Sequence, residues 1–471
     1  MNKEWEMVIG IEIHLELNTK TKMFSPVENS FDKEANTLVS NIDLAYPGAL
    51  PLVNSAAIIK GIKLAKALNM KIDELIRFDR KNYFYPDLTK GYQITQQFNP
   101  IGKDGSIKIK VDNEWKTISI ERIHLEEDTA KSLHENDHTM LNYNRAGVPL
   151  IEIVSNPVIH NAKEAVAYVE AIRQTALCLN ISDAKMNEGS LRTDVNISVR
   201  KINSKNLNTR VEIKNLNSLA NVEKSINYEA QYQIECYEAN KTFLQSTKRF
   251  DESSGKTVLM RSKSDAVDYR YFPDPNIPYI QLTDELITNT LIEEIPYEKE
   301  QRYFKNGLNS IQISQLLNNI EYANYFDKIN SYDVKKSANI FFSDIVSYLN
   351  QNNKLINELK FLPEDATQLI NYVIADKINK SNIKRIIELK DKNAEKNLTF
   401  LIRDNNLFEE IQEISIDKII DEIFLENPSL SNEIIKNKDR SLKFIIGQVM
   451  KKSKGKANVI ELNKKLLERF K

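Results

Sequence analysis

The sequence predicts an α+β protein whose strands and helices occupy different parts of the chain. Apolar and polar residues alternate with a period of two in several segments of the first half, which is typical of strands with one buried face. These segments are GIEIHLEL, SIKIKV, TISIERIHL, DVNISV and RVEIKN. Nine of the twelve glycines and ten of the thirteen prolines also lie before residue 280, as expected where tight turns connect strands.

The order of the elements suggests where the chain divides. Two stretches of the first half carry helical patterns, at about residues 52–70 and 161–180. After Pro296 the residue pattern is typical of helices, and only two prolines and three glycines remain. A break near residues 281–298 therefore separates the halves, and Asn405-Asn406 or the stretch after it separates a small last helical unit. We predict three domains, over residues 1–292, 293–405 and 406–471.

Length and composition exclude several classes of protein. The chain has 471 residues and a formal net charge of −1, which gives no global argument for binding nucleic acid. No apolar run approaches the roughly 20 residues that span a bilayer. The N-terminus leads into the first strand without a targeting segment, so we expect a cytoplasmic protein that does not bind membranes. The two cysteines, Cys178 and Cys236, lie in helical patterns and suit a reducing compartment.

Carboxylates on the predicted strands point to a metal site. Glu12 and His14 share one face of the first strand, although such a pair is usually solvated surface. Glu152 favours a metal, because it interrupts the apolar strand PLIEIV and a buried carboxylate is costly unless it is paired or coordinated. The alternative is a structural salt bridge, for instance to Arg145 or Arg192. Oxygen ligands with one imidazole suit Mg²⁺ or Mn²⁺ better than zinc. Nearby segments add His124, Glu126, Glu127, Asp128, Glu188 and Asp194.

Basic and aromatic residues lie close to these acids in the sequence. Cations that face a carboxylate-held metal are the groups that phosphoryl transfer needs. Interleaved aromatic rings would suit nucleotide stacking, although packing in the core is the simpler interpretation of each ring. The residues concerned are Arg80, Lys81, Tyr83, Phe84, Tyr85, Lys90, Tyr92, Arg145, Arg192, Arg210 and Lys214.

Two common catalytic motifs do not fit this sequence. Gly255-Lys256-Thr257 resembles the end of a phosphate-binding P-loop, but that motif needs a glycine at the position of Phe250. There is no Gly-x-Ser-x-Gly elbow, and neither cysteine has basic neighbours. Any ATP site is therefore of another kind, and chemistry that needs a covalent enzyme intermediate belongs to a partner.

The C-terminus is strongly basic. Residues 436–471 contain twelve basic and three acidic residues, hence a local charge of +9. A solvated helical face would explain such a composition, but the run KKSKGK before another helix favours an RNA partner.

A series of long segments resembles the B subunits of aspartyl/glutamyl-tRNA amidotransferases. In order, they are GIEIHLEL, NYFYPDLTKGYQIT, IHLEEDTAKS, NYNRAGVPLIEIVSNP, MNEGSLRTDVNISVR, EIKNLNS and DYRYFPDPNIP. The segment FIIGQVMKKSKGKANVIELNKKLLE is similar to the tail domain of that family. The resemblance implies a catalytic cradle domain, in which an antiparallel sheet of glutamine-synthetase-like topology lines the site. A helical domain and a small tail domain that grips tRNA would follow.

The resemblance also implies a reaction and its participants. ATP phosphorylates the side-chain carboxylate of a glutamate or aspartate misattached to tRNA(Gln) or tRNA(Asn), and ammonia then attacks the acyl phosphate. An amidase A subunit supplies the ammonia from glutamine, and a small C subunit holds the two together. The implied cofactors are ATP and Mg²⁺ or Mn²⁺. No zinc is expected, because the segment after TKTKMF lacks cysteine, so packing alone should hold this loop.

Matching the family's motifs residue by residue assigns roles within this chain. Glu126 and Glu127 are neighbours on a strand, so only one of them can face the metal. The implied metal ligands or their neighbours are Glu12, His14, Glu126, Glu127 and Glu152. The implied catalytic residues are Lys81, Glu188 and Arg192, with Glu212 and Lys214 as weaker candidates. The implied ATP-binding residues are Arg80, Lys81, Arg145 and Arg192, and the implied tRNA-binding residues are Lys451, Lys452, Lys454 and Lys456.

Two other functions compete with this interpretation. An enzyme with the same chemistry but a free amino acid as its substrate would not need the basic C-terminus. An RNA-binding or scaffold subunit would carry the same acids as structural residues, and their neutral variants would then affect stability alone.

Overall fold

The chain folds into two compact units, Met1–Ile320 and Glu321–Lys471. The predicted boundaries at residues 292 and 405 stay a prediction. None of the helices that can be described is long and apolar enough to cross a membrane. The computed structural model describes residues 4–30, 33–262, 268–409, 416–428, 430, 438–452, 462, 465–466 and 469.

A nine-stranded sheet forms the centre of the first unit. The strands of this unit are β1 (Trp5–Glu16), β2 (Lys71–Ile72), β3 (Leu75–Ile76), β4 (Asp79–Asn82), β5 (Tyr92–Thr95), β6 (Gly102–Val111), β7 (Glu114–Glu127), β8 (Lys131–His134), β9 (Thr139–Asn142), β10 (Pro149–Ser155), β11 (Leu191–Lys201), β12 (Val211–Leu216), β13 (Ser246–Asp251), β14 (Lys256–Ser262), β15 (Phe272–Pro273) and β16 (Ile280–Gln281). The order in the large sheet is β14-β13-β12-β11-β1-β10-β7-β6-β2. Neighbours are antiparallel, except that β12 and β13 run parallel.

Three small sheets accompany the large one. They have the strand orders β15-β4-β5, β16-β3 and β8-β9. The segment that resembles a P-loop is the turn between β13 and β14, where Gly255 has a φ of +66°. The five alternating segments lie almost entirely in β1, β6, β7, β11 and β12, and PLIEIV lies in β10, which confirms the predicted strands.

Helices cover the apolar face of the large sheet. The first unit contains α1 (Ser55–Ala67), α2 (Ala162–Cys178), α3 (Leu219–Glu238), α4 (Asp284–Asn289), α5 (Pro296–Lys305) and α6 (Ser310–Asn318). The predicted helices at about 52–70 and 161–180 are confirmed as α1 and α2. Asn54 and Asn161 begin them by accepting hydrogen bonds from backbone N–H groups of the first turn. Their apolar sides pack with strand residues such as Ile11 and Ile13 in one core.

The described part of the remaining chain is helical, as the sequence predicts. Its helices are α7 (Ile320–Phe326), α8 (Val334–Ile340), α9 (Ser347–Gln351), α10 (Pro363–Ile374), α11 (Ile383–Lys392), α12 (Leu398–Asp404), α13 (Ile416–Glu426) and α14 (Lys438–Lys452), with a π-helical turn at Phe341–Val346. Helices α13 and α14 have a small apolar core of their own, which includes Ile420, Ile423, Ile445 and Val449.

Buried charges, and not packing alone, hold the loop after β1, so that prediction was wrong. The carboxylate of Asp43 accepts hydrogen bonds from Ser25 Oγ at 3.1 Å and from the backbone N–H of Ser40 at 2.8 Å. The fully buried Lys22 ammonium lies 3.4 Å from the same carboxylate and donates to the carbonyl oxygen of Leu38 at 2.7 Å.

Replacing Asp43 by alanine should therefore destabilise the protein by about 3–5 kcal/mol, because it leaves the Lys22 ammonium buried without its counter-charge. The measurement is the urea midpoint, with the slope of the transition unchanged. Lys163→Ala, which breaks an exposed pair with Asp112, is the control and should cost at most about 1 kcal/mol. Equal effects of the two substitutions would contradict this account.

Candidate active site

The alternating residues of β1 divide between the core and an open polar face. Ile11 and Ile13 are at most 1% exposed and belong to the core. Glu12, His14 and Glu16 point to the opposite face, because successive side chains of a strand alternate. Since β1 lies near the middle of the sheet, these residues have strand neighbours on both sides.

The first cluster on this face joins three strands. His14 pairs across the sheet with Glu152, which pairs with His124. Glu152 Oε2 lies 3.4 Å from His14 Nε2 and 3.1 Å from His124 Nε2. Glu126 lies 3.7 Å from each imidazole. Because a ligand atom from each of His14, Glu126 and Glu152 lies within 4.8 Å of the others, these three residues can converge on one cation.

Without a bound cation, protons on the two histidines offset the negative charge of the carboxylates in this cluster. Burial by itself would lower the pKa of His14, but Glu152 and then Glu126 raise this pKa to about 9. The pKa of His124 is raised to about 8 by Glu152 and Glu126, against the effect of burial. Burial opposes ionisation of Glu152, yet the two imidazoles hold its pKa well below the usual value. The cluster therefore holds ionised Glu152 between two protonated histidines at pH 7.

A second cluster lies on the other side of β1. Glu12, Asp194 and Glu212 also offer three carboxylate oxygens within 4.8 Å of one another. The Lys214 ammonium lies 2.5 Å from Asp194 and 2.9 Å from Glu212, and Asn196 donates to Glu12 at 2.8 Å. Burial, followed by the carboxylates of Glu152 and Asp194, raises the pKa of Glu12. Lys214 thus offsets part of the negative charge, which a cation would offset further.

The two arginines predicted for the site meet at a single carboxylate. Asp128 Oδ2 lies 2.6 Å from Arg192 Nη2 and 3.3 Å from Arg145 Nε. The salt bridge from Glu152 to either arginine, considered as an alternative to a metal, is therefore not what the structure has. The contacts of Glu152 are with His14 and His124.

Lys81 is a half-buried cation close to the first cluster. Its ammonium lies 4.9 Å from the centre of the Tyr269 ring, and no carboxylate of the described chain lies within 4.0 Å of it. Burial would lower its pKa, but Glu126, Tyr271 and Glu152 raise it overall. Lys81 therefore stays charged while it keeps an ammonium available for a ligand.

The prediction that the nearby aromatic rings pack in the core is wrong for two of them. Phe84 is 89% exposed and Tyr85 is 63% exposed. Both lie in the connection between β4 and β5, beyond the end of the small sheet. Exposed rings at this position remain available for stacking.

Three predicted residues lie away from these clusters. Glu127 faces the opposite side of β7 from Glu126, where Lys90 lies 2.6 Å from it and the backbone N–H of Ile94 donates to it. Arg80 pairs with Asp274 at 2.7 Å. Glu188 lies in an exposed turn before β11 and contacts Lys185 at 3.0 Å.

The predicted tRNA-binding lysines lie in the second unit, and only two of them can be described. Lys451 is exposed near the end of α14. Lys452 forms ion pairs with Glu422 at 3.3 Å and Glu426 at 2.6 Å, which join α14 to α13. Lys454 and Lys456 lie outside the described residues.

Comparison with known proteins identifies the family. Residues 7–288 match the GatB/GatE catalytic domain, and residues 324–470 match the GatB domain. The chain belongs to the GatB/GatE family. Proteins of this family that are named as the B subunit of aspartyl/glutamyl-tRNA(Asn/Gln) amidotransferase are similar over nearly the whole length. The protein of Mycoplasmopsis agalactiae is 50% identical, with 98% of both chains covered. Those of Mycoplasmopsis pulmonis and Clostridium botulinum are 47% and 40% identical, with 98% and 99% of both chains covered.

Sequence reasoning gave no role to several residues on the polar face of the large sheet in this GatB/GatE protein. His124 and Asp194 were offered as further polar residues near the predicted metal site but were assigned no role, and Glu16 appeared only as part of the alternating pattern. The sequence does contain a signal that these residues face the site. Asp194 follows Arg192 by two residues, and His124 precedes Glu126 by two. Residues two apart on a strand share a face.

Binding of a cation at the first cluster, formed by His14, Glu126 and Glu152, is expected to release protons. A metal ligand must be a neutral imidazole, whereas His14 is protonated at pH 7 without a cation because its pKa is about 9. The apparent affinity for Mn²⁺ should therefore rise with pH and level off above about pH 9. Titration calorimetry at pH 7 in buffers of different ionisation enthalpy should show about one or more protons released per ion. Binding without proton release would contradict this assignment.

Proposed function

We propose that this chain is the amidotransferase subunit that activates the side-chain carboxylate of glutamate or aspartate misattached to tRNA(Gln) or tRNA(Asn). The observation that supports the proposal is that two clusters, each of three groups close enough to hold a cation, lie side by side on one open face of the sheet. The relatives are named as the B subunit of aspartyl/glutamyl-tRNA(Asn/Gln) amidotransferase, which supports this proposal.

The donor atoms of both clusters suit a hard divalent cation. Carboxylate oxygens, with one imidazole in the first cluster, are ligands that Mg²⁺ and Mn²⁺ accept. We propose that His14, Glu126 and Glu152 hold one ion and that Glu12, Asp194 and Glu212 hold a second. Bound there, the ions would neutralise the charge of the ATP phosphates and of the transferring phosphoryl group.

The chain's own cations would assist the same transfer. The side-chain carboxylate attacks the γ-phosphorus of ATP, ADP leaves, and an acyl phosphate results. Ammonia then attacks the acyl carbon and phosphate leaves, which gives the amide. In this proposal Lys81 donates to the transferring phosphoryl oxygens, whose negative charge spreads in the transition state. Arg145 and Arg192, held by Asp128, add positive charge on the same side of the sheet.

Other subunits complete the reaction in this proposal. An amidase A subunit supplies ammonia from glutamine, and a small C subunit joins that amidase to this chain. We also propose that the large sheet is similar in topology to that of glutamine synthetase. Its antiparallel strands, which carry the carboxylates on one face, support this comparison. The division into three domains at residues 292 and 405 and a cytoplasmic location belong to the same proposal.

The decisive experiment measures phosphate release from ATP by the chain copurified with its A and C partners. Misacylated Glu-tRNA(Gln) or Asp-tRNA(Asn) should stimulate release, whereas correctly charged tRNAs and free glutamate should not. Stimulation by free glutamate would favour the enzyme that acts on free amino acids. Release that ignores every aminoacyl-tRNA would favour a scaffold.

The basic C-terminus should contribute to tRNA affinity through phosphate contacts. Replacing Lys451, Lys454 and Lys456 together by glutamine should weaken binding to all tRNAs about equally. It should also reduce the salt dependence of log affinity by about one for each lost contact. Fluorescence anisotropy at several salt concentrations measures both effects. The control replaces the exposed Lys328, Lys335 and Lys336, which changes the net charge equally. Equal losses in the two variants would contradict a specific role for the C-terminus.

A further inference from the structure

Glu16 is a buried carboxylate that the mechanism above does not use. It ends β1 and continues the polar face of Glu12 and His14. Its side chain is 5% exposed, and its Oε2 atom has no hydrogen-bond partner within the described chain. A buried acceptor without a donor is costly, and a donor from outside the chain would satisfy this atom.

Arg192 has a hydrogen-bond donor that is unpaired within the described chain, which complements the acceptor of Glu16. Its Nη2 donates to Asp128 at 2.6 Å, but its buried Nε–H has no partner in the part of the chain that is described. Arg192 pairs with His14 across β1 and β11, so it is the diagonal neighbour of Glu16. A ligand that carries a donor next to an acceptor would satisfy both residues.

The distance to the first cluster indicates which ligand this is. Glu16 is aligned with Glu126 across Leu150 and lies two residues along β1 from His14, roughly 6–7 Å. This distance is comparable to the length of an aspartyl or glutamyl group from its side-chain carboxylate to its α-carbon substituents. An aminoacyl ester has an α-ammonium, which donates, next to an ester carbonyl, which accepts.

We propose that Glu16 and Arg192 bind the α-amino and ester groups of the aminoacyl end of the tRNA. Glu16 Oε2 accepts from the α-ammonium, Arg192 Nε donates to the ester carbonyl oxygen, and Asp128 holds the guanidinium in place. This inference rests on the proposed function, in which the side-chain carboxylate of the same group lies at the first cluster. Binding at both ends places that carboxylate for phosphorylation and selects aminoacyl esters whose amine is free.

The test compares two substrates with the chain copurified with its A and C partners. One is Glu-tRNA(Gln), and the other is its α-hydroxy analogue, in which a hydroxyl replaces the amine. The natural protein should prefer the amine in kcat/KM by on the order of 10- to 100-fold, because a charge-assisted hydrogen bond at a buried site is lost with the analogue. Glu16→Gln should bring this preference close to one, mainly by slowing the reaction of the amine substrate.

The test has a matched control variant and defined results that would overturn the inference. Glu6→Gln changes another glutamate of β1, which pairs with Arg200 at 2.6 Å, and should keep the preference. Equal kcat/KM for the two substrates in the natural protein would overturn the inference even if Glu16→Gln does not fold. A Glu16→Gln variant that slows both substrates by the same factor would also overturn it, as a structural role predicts. If neither substrate stimulates ATP hydrolysis, the proposed function itself fails, and the inference fails with it.

Discussion

Glu152→Gln is expected to lower ATP hydrolysis stimulated by misacylated tRNA by about 10²- to 10³-fold. The Glu152 carboxylate contacts both His14 and His124, and it is one of the three groups that can converge on a cation. A neutral amide keeps the size of the side chain but removes the negative charge that a divalent ion requires. Phosphate release should be measured over a range of Mg²⁺ concentrations, and the variant should need more of the ion.

A control separates the loss of a ligand from loss of the fold. Glu300→Gln removes a charge that pairs with Lys110 at 2.6 Å on β6, three strands from β1 in the sheet, so its ATP hydrolysis should remain within about twofold of the natural protein. Circular dichroism should show that both variants are folded. If folded Glu152→Gln keeps its stimulated activity, the first cluster is structural, and the proposed activation step is wrong.

Lys81→Met should lower the same activity by about 10²-fold or more, because the ammonium would face charge that develops in the transition state. Methionine keeps much of the length and apolar character of the side chain, so the contact with the Tyr269 ring is partly preserved. The loss should appear in kcat for ATP hydrolysis more than in KM for tRNA. This distinction separates a phosphoryl contact from a tRNA contact.

Lys110→Met provides the matched change of charge and shape. Lys110 pairs with Glu300 and lies over the Trp115 ring at 5.6 Å, so it shares the aromatic contact of Lys81 but lies on β6, three strands from β1 in the sheet. Its substitution should leave kcat nearly unchanged. A similar loss of kcat in both variants would show that Lys81 has no particular role in phosphoryl transfer.

Much of the fold could be predicted because the signals are local. The alternation in GIEIHLEL identifies β1 and also its polar face, and the helical pattern at 161–180 identifies α2. The site was predicted less completely. Sequence reasoning gave Glu12 and His14 as metal ligands or their neighbours, and the structure places them in two different clusters, because residues two apart on a strand lie roughly 7 Å apart.

The loop after β1 shows a different limit of sequence reasoning. The absence of cysteine indicated only that zinc would not hold the loop. Lys22 and Asp43 are separated by 21 positions, and nothing in the local pattern predicts that they meet as a buried pair. Such a pair depends on how the loop returns to the end of β1, which is a tertiary property.

The sequence by itself determined the order of strands and helices, the polar face of β1 and the family, because these depend on residue types and spacing along the chain. Only the tertiary structure decided which charges meet. It placed Glu126 and not Glu127 beside His14, and it paired Arg192 with Asp128 and not with Glu152. The physical reason is strand register. Contacts across a sheet are set by how distant strands align, and a shift of one residue would move every side chain to the opposite face.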